Sequence, residues 1–146
     1  MIVLRPFRPE DWAVISQYQY PGISQDDAIH LIAEFNAPTY QGKFQKFYAV
    51  EWDSQIVGYV SIIEQSRGSV SVGAEIYQPF RRQGYAYNAI TQLFVLSKSL
   101  GYHTATGQVR QDNTASLALC RKLEFSVVNE SISRRGKPVY NLIKSI

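Results

Sequence analysis

The sequence predicts one mixed α/β domain, and three observations carry that reading. A chain of 146 residues suits a single hydrophobic core, because two cores would each be undersized. Its apolar residues repeat with the period of a strand in some segments and of a helix in others. Turn and capping residues separate those segments, in the order βααβββαβαββ.

Residues 2–7 read as a strand. Pro9 suits a first helical position, with Glu10 and Asp11 near the positive end of a helix reaching Tyr20, before Pro21-Gly22 stops it. Ser24, with Asp27 three residues later, resembles a capping box and opens a second helix that Pro38 ends. Residues 44–52 and 55–65 read as strands around an Asp53-Ser54 turn, and Arg67-Gly68 precedes a third strand at 69–77. Alternation there puts Val70, Val72, Ala74 and Ile76 on one face and Ser71, Gly73, Glu75 and Tyr77 on the other. Ala86, Ala89, Ile90, Leu93, Phe94 and Leu96 mark an amphipathic helix, with Lys98 in its last turn and Gly101 just past its end. A strand at 102–110 leads to Asn113, a good N-cap, and to a helix through Leu123. Strands near 125–133 and 138–145 join through Arg135-Gly136-Lys137.

Composition narrows the function. A hydrophobic content of 45% is that of a globular chain. The apolar runs are shorter than a membrane span and the N-terminus lacks the apolar run of a signal peptide, so a cytoplasmic protein without a membrane partner is expected. One cysteine, Cys120, excludes an internal disulfide framework, and with only two histidines no protein-held metal is expected. Basic residues cluster at Arg81-Arg82 and at Arg134-Arg135 with Lys137, too briefly for a nucleic-acid footprint. A few cations beside a glycine suit a small phosphorylated ligand.

The segment Arg81-Arg82-Gln83-Gly84-Tyr85-Ala86 lies between a strand and a helix. Such a turn directs several backbone N–H groups at one point, and the helix's positive end adds to them. Gly84 removes the side chain that would block an oxygen's approach, and small Ala86 permits another close contact. The segment is no Walker loop and lacks the three-glycine dinucleotide fingerprint.

Arg81-x-x-Gly84-x-Ala86 resembles the acetyl-coenzyme A signature of GNAT acetyltransferases, Gln/Arg-x-x-Gly-x-Gly/Ala. VRQDNTASLALCRKLEF at 109–125 resembles that family's next strand and helix, with Asn113 and Phe125 matching both ends of its Asn-x-x-Ala…Tyr-x-x-x-Gly-Phe pattern. LRPFRPEDW is similar to its N-terminal strand and helix. The resemblance implies a central mixed, mostly antiparallel sheet flanked by helices, with acetyl-coenzyme A and an amine acceptor as the partners. It implies that the backbone near Ile76 and Tyr77 pairs with the pantetheine arm. The amides of Arg82, Gln83, Gly84, Tyr85 and Ala86 would hold the pyrophosphate beside the charge of Arg81. Asn113 would contact the pantetheine with Ser116 nearby, and a homodimer stays open.

Amide formation from a thioester needs a neutral amine. An α-amine of pKa near ~8 is neutral far more often at pH 7 than a lysine near ~10.4. A base therefore matters more for lysine. Bacterial ribosomal-protein alanine acetyltransferases, which the chain resembles, carry a Glu where this sequence has Gln108, and an amide is no base. Their tyrosine acid is replaced by Cys120, and their Gly before Phe by Glu124. Glu75 is then the candidate base and Cys120 the candidate proton donor, with His103 and His30 as further bases and Tyr77, Tyr85, Tyr87 or Tyr140 as further acids. The acceptor site is expected between the first two helices, which offer Asp26, Asp27 and Glu34 with Tyr18, Tyr20 and Phe35. Two functions compete: N-acetyl transfer to a primary amine (a protein N-terminus, a lysine or a small molecule) by direct attack in a ternary complex, and non-catalytic acyl-coenzyme A sensing or partner binding.

Overall fold

In the computed structural model, which describes residues 1–146, β1 (Ile2–Arg5) stops before Pro6, whose nitrogen has no hydrogen to give a ladder. The expected first helix is irregular. A 3-10 turn (Pro9–Asp11) runs into one α turn, α1 (Trp12–Val14), and then a π turn (Ile15–Gln19). The wide turn lets Tyr18 stack on Tyr77 at 5.1 Å and lets Gln19 accept a 2.8 Å hydrogen bond from the Tyr77 hydroxyl. Helix α2 (Gln25–Asn36) starts at Ser24, whose hydroxyl accepts from the Asp27 N–H at 3.1 Å. At its end Asn36 pairs with both backbone groups of Phe7, at 2.9 and 2.8 Å, and so ties the helix to the exit of β1.

A two-residue strand unforeseen from the sequence, β2 (Thr39–Tyr40), folds back on β3 (Lys43–Trp52). β4 (Gln55–Ser66) follows the Asp53-Ser54 turn, where both residues take positive φ, and β5 (Ser69–Ile76) follows Gly68. Then come α3 (Tyr85–Ser99), β6 (Thr104–Arg110), α4 (Thr114–Lys122), β7 (Ser126–Ile132) and β8 (Pro138–Ser145). The sheet order is β1-β3-β4-β5-β6-β8-β7, with β5 and β6 its one parallel pair.

Helices cover both faces of the sheet. On one, Ala89 and Leu93 of α3 pack against Val50, Val60, Ile62 and Val70. On the other, Phe7, Ile15, Ala28, Ile32 and Phe35 pack against Ala49, Ile56 and Tyr77. Full burial of a side chain such as Leu93 is worth about 1.5–3 kcal/mol. Arg5 stitches the second layer: it binds Asp11 at 2.9 and 3.1 Å and Glu51 at 2.9 Å, and Asp11 also accepts the Arg8 N–H at 2.7 Å. These two carboxylates raise the Arg5 guanidinium against the opposing cost of its burial.

Candidate active site

The sheet splits in its middle. β5 pairs with β6 only from Ser69 to Ser71, against Thr104 to Thr106, yet stays paired with β4 as far as Ile76. The Tyr77 N–H donates to Val57 O at 2.9 Å. Backbone direction alternates along a strand, so Glu75 and Gly73 also face β4, whereas Val72, Ala74 and Ile76 turn their N–H and C=O groups to the open side. Beyond Ser71 that edge borders a cleft of about 310 Å³, whose lining includes Val72, Ala74, Ile90, Val109, Asn113 and Cys120.

The glycine turn lies past the end of β5, after a 3-10 turn (Gln78–Phe80) that the sequence did not announce. Arg82 and Gly84 both have positive φ, 64° and 79°. The first backbone bond of α3 runs from Asn88 N–H to Gly84 O at 3.2 Å, so the amides of Tyr85, Ala86 and Tyr87 have no acceptor within the helix. No atom lies within 4 Å of where a Gly84 Cβ would stand. Free amides, a helix's positive end and open space fit a pyrophosphate.

Arg81 is turned away from those amides. Its Nε donates to Ile76 O at 2.8 Å and its Nη2 to Glu75 Oε1 at 3.0 Å. Arg82 and Gln83 are exposed, and Arg82 forms no ion pair. Tyr77 belongs to the core rather than to the cleft edge, since its amide is spent on Val57 and its ring is 2% exposed. Burial pushes its hydroxyl far above the ordinary tyrosine range, with smaller contributions from Tyr59, Asp11 and Glu75, so it stays protonated.

Glu75 lies across from Tyr59 on β4. Desolvation raises the Tyr59 hydroxyl, and the nearby charge of Glu75 and the Tyr20 hydroxyl raise it further. The cross-strand pair of Tyr59 and Glu75 escaped sequence reasoning, because register is invisible without the fold. Asn113 and Ser116 do come together: Asn113 caps α4 by accepting the Ser116 N–H at 3.1 Å, and both line the cleft. Cys120 joins them, half-buried, and burial raises its thiol so that it is protonated at neutral pH. Glu124 takes φ 65° at the helix end, the left-handed position that glycine fills more cheaply, while the Phe125 N–H returns to Cys120 O at 3.0 Å.

A second cleft of about 500 Å³ is lined by Gln65, Ser71, Thr106 and Asn141 among others and shares Gly107, Gln108 and Leu142 with the first. Ser71 and Glu75 lie on the same face of β5, opposite Val72 and Ala74. Gln108 donates to Asn141 Oδ1 at 3.0 Å, and Asn141 donates to Asn129 Oδ1 at 2.7 Å and Ser131 Oγ at 2.9 Å. No side chain lining this cleft is charged.

The remaining candidates lie elsewhere. His103 sits before β6, with its backbone N–H on Gly68 O, at the end of the sheet opposite the split. His30 is exposed on α2, its Nδ1 2.8 Å from Asp26 O. Of the expected acceptor residues, Phe35 is buried and Tyr18 is stacked on Tyr77, while Asp26, Asp27, Glu34 and Tyr20 are exposed. Tyr85 packs on Trp52 at 5.5 Å, Tyr87 lies under Lys122, and Tyr140 faces Val109 across the β6–β8 pair. No cluster of three His, Cys, Asp or Glu residues is placed to hold a metal, and no helix is long and apolar enough to cross a membrane.

The sequence profile of the acetyltransferase (GNAT) domain matches residues 2–126. No curated protein sequence matches the chain significantly. Among solved structures, RimL, a ribosomal L7/L12 α-N-protein acetyltransferase in complex with coenzyme A, superposes with a TM-score of 0.83 at 17% identity, over 99% of this chain and 94% of that one. Mycobacterium smegmatis RimJ in complex with coenzyme A disulfide gives 0.81 at 17%, over 99% and 81%. Spermidine N-acetyltransferase from Vibrio cholerae, in a dodecameric structure, gives 0.79 at 17%, over 99% and 93%.

Proposed function

We propose, from the premise that this chain belongs to the GNAT acetyltransferase family, that it transfers acetyl from acetyl-coenzyme A to a primary amine by direct attack in a ternary complex. The observation that carries this reading is the split beside β5, because it joins a cleft on each face of the sheet. The thioester enters from the α3–α4 side, with the pantetheine arm along the open edge of Val72, Ala74 and Ile76 and the pyrophosphate on the amides of Gly84 to Tyr87. The amine enters from the opposite face, past Gln108.

The chemistry then follows from few groups. The amine nitrogen bonds to the thioester carbon, the C–S bond breaks, and the amine's proton passes to Glu75 directly or through water. Charge that builds on the carbonyl oxygen is stabilised by the N–H of Ile76, which faces the open side. The leaving thiolate, of pKa about 8.5, departs without obligatory protonation, and the neutral Cys120 thiol supplies a proton where one is needed. Asn113 and Ser116 orient the arm.

The acceptor is an α-amine of a protein, a lysine or a small amine. RimL is named for a protein α-amine and the Vibrio enzyme for spermidine, so related folds serve both kinds. The second cleft offers no carboxylate to a further ammonium group, which weighs against a polyamine. A cytoplasmic location accompanies this reading. Coenzyme A release should be followed over a panel of amines, with mass analysis of the product. Tight acetyl-coenzyme A binding with no acetylated product from any amine would replace the enzyme by an acyl-coenzyme A sensor.

A further inference from the structure

Lys122 closes α4, and its ammonium stands 4.1 Å from the centre of the Tyr87 ring. Tyr87 is the third residue of α3, and side chains on a helix lean toward its N-terminus. Ring and ammonium are therefore held beside the amide turn at Gly84. Of the other cations at this end of the sheet, Arg81 is taken by Glu75 and Arg110 by Asp112, while Arg82 has no ion pair and rests on no aromatic ring. Lys122 has no carboxylate partner and is exposed on its outer side. A cation on an aromatic face has lost part of its conformational freedom before any ligand arrives.

The turn's amides serve the pyrophosphate, a diester, and offer nothing to a separate phosphate. Coenzyme A carries a second phosphate as a monoester on the ribose 3′ oxygen, close to dianionic at neutral pH with its second pKa near ~6. A ligand whose pyrophosphate rests at Gly84 and whose arm enters the cleft must send its adenosine outward, across Tyr87 and the end of α4. We propose that Lys122, held by Tyr87, recognises the coenzyme's 3′-phosphate and so distinguishes coenzyme A from a carrier lacking that group. This rests on the acetyltransferase reading above.

The test is calorimetric and needs no acceptor. Coenzyme A and 3′-dephospho-coenzyme A are titrated into wild type, Lys122→Met and Tyr87→Leu at low salt. Lys122 is exposed, so the Met variant should fold as wild type does. One charge-assisted contact predicts that wild type prefers coenzyme A by roughly tenfold. Lys122→Met should abolish that preference while leaving dephospho-coenzyme A affinity within about twofold of wild type, and Tyr87→Leu should lower the preference in part. A Met variant that weakens both ligands equally places Lys122 on the pyrophosphate and overturns the proposal, as does an unchanged preference. Wild type that binds neither ligand overturns the acetyltransferase reading itself.

Discussion

Substitution of Gly84 separates charge from strain at the glycine turn. Gly84 has φ 79°, and an added Cβ would meet nothing within 4 Å. Alanine there costs only the left-handed conformation, about 1–2 kcal/mol. Aspartate tolerates that conformation better than most residues, and its charge is favourable at a helix's positive end. Gly84→Asp should therefore be at least as stable as Gly84→Ala. Binding should move the other way. A carboxylate about 4 Å from one pyrophosphate charge costs about 1 kcal/mol at the dielectric of water and about 4 at a partly shielded protein surface. Since each 1.4 kcal/mol is tenfold, Asp should weaken acetyl-coenzyme A by between about fivefold and a thousandfold, and Ala by only a few-fold. Calorimetry gives the affinities and thermal denaturation the stabilities. An Asp variant that binds as well as the Ala variant would show that no anion sits on this turn.

Other substitutions probe the chemistry and the scaffold. Glu75→Gln should lower turnover by about 10²–10⁴-fold with coenzyme affinity nearly intact, and the deficit should shrink at high pH, where solvent deprotonates the amine. Wild-type turnover at neutral pH would leave Glu75 as the partner of Arg81 alone. Cys120→Ala should keep much of its turnover, because the thiolate leaves unaided. As burial raises the thiol, iodoacetamide labelling of Cys120 should climb only above the ordinary thiol range near ~8.5, and fast labelling at pH 7 would contradict that. Asp11→Ala leaves Arg5, whose side chain is 11% exposed, with Glu51 as its one carboxylate and frees the Arg8 N–H, and should cost about 3 kcal/mol. The melting point should then fall by about 6–12 °C, with an unchanged value refuting the clamp.

The fold was legible where local chemistry decides it. Ser24 and Asn113 cap the helices expected of them, and the alternation along β5 matches its burial. The π turn before Tyr20 was not legible, because it answers to a side chain 58 residues further along, that of Tyr77. β2 was missed because two residues are too few for a period, although Gln41-Gly42 is a turn signal. The cluster of Arg81, Glu75 and Tyr59 could not be read from spacing either. A motif specifies which amides face an anion, but it does not say which cation a neighbouring strand will claim.

The same limit applies to the split itself, whose cause lies on the far side of β5. Gly58 on β4 stands opposite Ile76, and a Cβ there would fall within contact distance of Glu75 O and Ile76 Cα. Without that carbon β5 presses close against β4 along its last residues. Just across β4, its pairing with β3 shifts register between Val50 and Glu51, which turns the strand locally. β6, meanwhile, is tied to β8 along its whole length from Thr104 to Arg110. Two parallel strands anchored to different outer partners can stay paired only where those partners keep them a strand's width apart, and past Ser71 they do not. The open edge is thus made by what β5 packs against, not by the residues that line the opening. Substitution of Gln108 or Cys120 should leave the opening undisturbed, whereas a side chain at Gly58 would reach it by pushing on β5.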